Sequence, residues 1–109
     1  MTDLVHVYTA TPDRESAVEL AKGVTAQRLA AGAQVVGPVV SLFWHLGEFG
    51  EGEEWQLILK TTVDRYPDLE AHLLAEHPWD NPEVAAVPVV EAAQRFKTWV
   101  VATVSDPAD

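Results

Sequence analysis

The chain has 109 residues, no cysteine and a formal net charge of -10. This length fits one domain, residues 1–109, with a core of its own. The missing thiols exclude disulfides and thiolate metal sites, and the negative charge disfavours nucleic acid and anionic membranes as partners.

Leu4 to Ala10 (LVHVYTA) reads as a first strand, with Val5 and Val7 on one face and His6 and Tyr8 on the other. TPDRES then signals a helix start. Thr11 or Asp13 can cap, and Pro12 suits the first helical position. Ala17, Leu20, Ala21, Val24 and Gln27 to Ala31 recur at helical spacing, and Gly32 offers a stop. The run QVVGPVVSLFWHL is strand-like, with a bulge or edge expected at Gly37-Pro38. Its alternation sets Val35, Val39 and Phe43 against Val36, Val40, Leu42, Trp44 and Leu46.

Gly47 to Gly52 carries three glycines and two glutamates, which predicts a loop at the tip. A third strand, EEWQLILKTT, points Trp55, Leu57 and Leu59 one way and Glu54, Gln56, Ile58 and Lys60 the other. Asp64 is placed to cap a second helix, buried through Tyr66, Leu69, Leu73 and Leu74 and ending near His77-Pro78. After the turn WDNP, Glu83 to Val90 reads as a fourth strand, at an edge because of Pro88. A last helix carries Phe96, Trp99, Val100 and Thr103 on one side, followed by a frayed tail over about 104–109.

This order, β-α-β-β-α-β plus a helix, is the split βαβ arrangement of an α+β ferredoxin-like fold. Both crossover helices belong on one face of a four-stranded antiparallel sheet. The opposite face, with an apolar long hairpin, would form a patch larger than monomers tolerate, so contact with copies of the same chain is expected. No stretch approaches the ~20 apolar residues of a membrane span, and residues 1–10 lack a secretory pattern, so a cytoplasmic location is expected.

With these elements placed, the chain resembles the CutA family of divalent-cation tolerance proteins. The resemblance runs from about Val5 to Val101. Its carriers are AQRLAAGAQV (Ala26 to Val35), SLFWHLG (Ser41 to Gly47), Glu54 with QLILKTT (Gln56 to Thr62), H-P-x-x-x-P-E (His77 to Glu83), Val87 to Val89 and FKTW (Phe96 to Trp99). It implies a PII-like homotrimer, with the long hairpin reaching onto a neighbour and ligand clefts between subunits. It further implies metal response, with copper or zinc as the candidate cation. Relative to the family pattern, Gly32 stands where a cysteine is usual, Phe43 where tyrosine is, His45 where tryptophan is, and Leu46 often where glutamate is. Glu54, Lys60, His77, Pro82, Glu83 and Trp99 are retained.

The candidate ligand-binding residues are therefore Phe43, Trp44, His45, Lys60, His77 and Glu83. His45, His77 and Glu83 are the candidate metal ligands, since imidazole and carboxylate suit a borderline or hard cation. Each also has a plainer reading: a solvated hairpin histidine, an inter-subunit salt bridge for Lys60, and a structural turn at His77 and Glu83. If the protein is an enzyme, His45 is the acid or base, with Lys60 or Glu54 as charge partner for a small organic substrate. Two same-face positions separate Glu54 from Lys60 along their strand, so a partner from another subunit is expected. A scaffold that organises a partner is a third reading. No P-loop, G-x-S-x-G or G-x-G-x-x-G supports phosphoryl, acyl or dinucleotide chemistry.

Overall fold

The structure, a computed structural model, describes residues 3–105. The elements are β1 (Leu4–Thr11), α1 (Arg14–Ala26), β2 (Gly32–His45), β3 (Glu48–Thr62), α2 (Tyr66–Glu76), β4 (Ala85–Pro88) and α3 (Gln94–Ser105). They build one four-stranded antiparallel sheet in the order β2-β3-β1-β4. The ferredoxin-like α+β reading is thereby met. β4 is shorter than the expected Glu83–Val90 and lies at the sheet edge, where Pro88 deprives no further strand of a donor. The tail beyond Ser105 lies outside the described residues.

Period-two burial along β1 and β3 aims Val5, Val7, Leu57 and Leu59 at α1 and α2. They meet Ala17, Leu20 and Val24 of α1 and Leu69 and Leu73 of α2. Each fully buried Leu or Val contributes about 1.5–3 kcal/mol of transfer free energy. Leu4 points the other way, into a second cluster with Ala31, Val100 and Val104, so α3 closes one end of the opposite face. The rest of that face, around His6, Tyr8, Val36, Ile58 and Val87, carries no helix among the described residues.

Several boundaries differ from the pattern. α1 is capped by Asp13, one of the two expected caps, whose carboxylate accepts from the Ser16 N–H at 2.7 Å. It ends at Ala26 rather than near Gly32, because the chain reverses through Arg28 at φ 57°. That reversal buries Leu29 and Ala30 under the sheet and lets the Leu29 carbonyl accept from the Thr61 hydroxyl. α2 has Arg65 at its cap, with no capping side chain, where Asp64 was expected. Its buried stripe is Leu69 and Leu73; Tyr66 is half-buried and Leu74 is exposed.

The largest difference concerns the hairpin. The bulge expected at Gly37-Pro38 is present: Val36 pairs with Gln56, but Val39 pairs with Glu54, so β2 carries one residue more than β3 there. One extra residue inverts side-chain parity beyond it. Val35 therefore faces the core, whereas Val39 and Phe43 face the opposite side with Val36. Val40, Leu42 and Trp44 are turned to the helix side of the sheet plane. The expected loop at Gly47 to Gly52 is also strand. Only Leu46 and Gly47 form the turn, both left-handed at φ 51° and 81°, as a two-residue hairpin turn requires. Gly50 is there for packing, since a Cβ at that position would come within 2.6 Å of the Phe43 ring.

Candidate functional site

β1 stops pairing with β3 at Thr11 and Trp55. From the Val39–Glu54 pair to the His45–Glu48 pair, seven residue pairs run on as a bare two-stranded arm, about 20 Å long at the rise of extended chain. A ribbon of two strands is marginal on its own in water. Yet this one exposes Val40, Leu42, Trp44, Leu46 and Phe49, with Trp44 at 74% of its full surface. Trp44 and Phe49 pack edge to face at 5.7 Å.

Under the arm lies a cleft of about 820 Å³, lined by Phe43, Trp44, His45, Leu46, Glu54, Trp79, Asp80 and Asn81. Three of the sequence candidates, Phe43, Trp44 and His45, thus line one cleft along the arm, and Glu54 lines it at the root. Glu54 is fixed at the root of the arm, where its Oε1 accepts from the Ser41 hydroxyl at 2.8 Å. Lys60 is elsewhere. It sits at the far end of the same face, opposite His6 and Gly32, and its Nζ donates to Gln34 Oε1 at 2.8 Å. Glu83 is exposed and does not line the cleft.

His77 is buried at the C-terminal cap of α2, with both ring nitrogens engaged by backbone. Nδ1 accepts from the Trp79 N–H at 3.0 Å, which leaves the proton on Nε2 to donate to the Ala10 carbonyl at 2.8 Å. The imidazole also packs against the Trp79 ring at 5.4 Å. A metal at His77 would have to break one of these bonds. In this geometry His77 ties the end of β1 to the Trp79 wall of the cleft.

Burial pushes the His77 pKa below its ordinary 6.5, partly offset by the bond to Ala10. Burial, and then the Lys60 charge, lower His6 in the same way. Both groups are therefore protonated more readily in the unfolded chain than in the folded one. Their contribution to stability is complete above 6.5 and is lost as pH falls through the folded value. At His77, protonation also converts the acceptor for Trp79 into a donor. Urea midpoints measured between about pH 7.5 and pH 5 are expected to fall, and His77→Gln should flatten that slope while leaving the share due to His6. An unchanged slope in the variant would remove His77 from this role.

Among the described residues no group of three His, Asp or Glu side chains is placed to hold a metal ion, and cysteine is absent. Nor is any described helix long and apolar enough to cross a membrane. Sequence reasoning missed Trp79, Asp80 and Asn81, which it assigned to a turn. Their signal was indirect: a tryptophan two residues after a histidine that ends a helix.

Fold and cleft together define the class: a ferredoxin-like α+β protein whose middle strands run on as a long ribbon over an aromatic pocket. The chain belongs to the family of CutA1 divalent ion tolerance proteins, whose family model matches residues 5–103. It is 33% identical over 94 residues to the divalent-cation tolerance protein CutA of Thermus thermophilus, covering 86% of this chain and 91% of that one. It is 34% identical over 102 residues to CutA of Escherichia coli, covering 94% and 91%. Among solved structures, CutA from Xylella fastidiosa superposes with a TM-score of 0.90 at 27% identity, covering 94% of this chain and 98% of that one. The Thermus thermophilus protein gives 0.89 at 31% identity, covering 92% and 97%. A further similar structure, from Archaeoglobus fulgidus, is described as a periplasmic divalent cation tolerance protein.

Proposed function

We propose that the chain works as a homotrimeric binding protein of the divalent-cation tolerance type, with its ligand site in the cleft under the arm and closed there by a neighbouring copy. The observation that carries this reading is the unsupported arm, with Val40, Leu42, Trp44 and Phe49 in water beside an uncovered sheet face. Arm and face are different surfaces. A contact of one with the other is head-to-tail, and such contacts close into rings, of which three copies is a compact case, as in the PII-like arrangement. Burying both surfaces in this way removes a sticky patch that a free monomer would carry. A divalent cation in the cleft would draw donors from two copies, His45 among them, because the described residues of one chain do not gather three.

Sedimentation at micromolar concentration is expected to give three copies, and a monomer there ends the reading. Calorimetry with zinc and copper decides the ligand. Stoichiometric heat that His45→Ala removes supports the cation. No heat with either ion leaves the cleft to an organic ligand.

A further inference from the structure

We infer that the cleft under the arm is a site for a compact organic ammonium ion. The inference rests on the cleft being the ligand site. Three features of the wall carry it. The first is aromatic residues in the lining, Phe43 of the arm and Trp79 of the loop after α2; the electron-rich faces of such rings attract cations, tryptophan best of all. The second is sign. Glu54 and Asp80 line the cleft and no lysine or arginine does, in a chain of net charge -10, so anionic ligands are repelled and cations drawn in. The third is size and donor count. About 820 Å³ is the volume of a small-molecule pocket, far more than a single metal ion fills. No three-donor metal group is present among the described residues to use it otherwise.

The parts are also held in place before a ligand arrives. Glu54 is fixed by Ser41, and Trp79 is fixed by His77 through the main-chain bond and the ring contact. A ligand therefore meets ordered rings and an ordered carboxylate, and less ordering remains to be done on binding.

Cyclohexylammonium and cyclohexanol separate charge from shape, since the two are near-isosteric and differ in one formal charge. Each is titrated into the full-length protein at constant ionic strength near neutral pH, with tryptophan fluorescence as readout. The ammonium ion is expected to saturate at least about tenfold tighter than the alcohol, the advantage that charge–ring attraction and a carboxylate supply together. Glu54→Gln and Asp80→Asn should each weaken the ammonium ion about three- to tenfold and leave the alcohol unchanged. Asp80 is exposed in a turn, so its variant keeps the fold, and an unchanged melting curve confirms that. Equal affinity for the two ligands overturns the ammonium assignment while leaving the cleft as a site. Saturation by neither, in protein that is folded and assembled, overturns the cleft reading and the inference with it.

Discussion

Val36→Asp is expected to leave a folded monomer in place of the proposed trimer. Val36 lies on the sheet face without helices, paired with Gln56, and in the single chain it is 42% exposed. A carboxylate there stays in water when the chain is alone. The cost to folding is then that of a poorer strand former, at most about 1 kcal/mol. In an assembly that covers this face the same carboxylate is stripped of water beside apolar partners and near Glu54, which costs several kcal/mol per copy. A closed ring repeats the penalty at every subunit, so association should weaken by well over ~100-fold, since each 1.4 kcal/mol is a factor of ten. Sedimentation reads the association and circular dichroism the fold. Unchanged association would show that this face is not the one that copies cover, and lost secondary structure would show that Val36 supports the sheet itself.

The sequence showed the frame of this molecule better than its site, for identifiable reasons. Alternation in β1 and β3 is uninterrupted, so Val5, Val7, Leu57 and Leu59 could be assigned to the core from their spacing alone. In β2 the same rule fails past Gly37-Pro38, because one inserted residue exchanges the faces and local pattern contains no count of the partner strand. Glycine was read as loop at the tip. Gly50 and Gly52 instead sit across the ribbon from Phe43 and Ser41, and at Gly50 the Phe43 ring on the other strand leaves no room for a Cβ. Phe43 and His45 were legible as candidates because they depart from the family pattern, and Trp44 because it stands between them. Their partners Trp79 and Asp80 were not, since the cleft exists only once α2 has returned the chain to the end of β1. His77 shows the limit of residue type as a guide: imidazole beside a turn reads as a ligand, but two backbone bonds engage both of its nitrogens.

Leu73→Ala is expected to cost about 2–5 kcal/mol of unfolding free energy, the range for removing a fully buried leucine and leaving a cavity. That is a large share of the roughly 5–15 kcal/mol by which such domains are stable. Leu73 has no exposed surface and packs in the main core, while its neighbour Leu74 is 52% exposed. Leu74→Ala should therefore stay within about 1 kcal/mol. The two substitutions delete the same atoms from adjacent positions of one helix, so urea unfolding of the pair isolates burial from helix propensity. Equal losses would mean that Leu74 is covered in the protein in solution as fully as Leu73 is in the core. The effect of Leu73 should also reach the cleft. The Leu73 carbonyl accepts from the His77 N–H at 2.9 Å, and His77 in turn holds Trp79 through its Nδ1 at 3.0 Å. A cavity beneath Leu73 lets this end of α2 relax, and the Trp79 wall moves with it. Leu73→Ala is thus expected to change tryptophan fluorescence in the folded state at neutral pH, and Leu74→Ala is not. A folded-state spectrum identical to that of the parent would show that the His77 tie survives independently of the core beneath it.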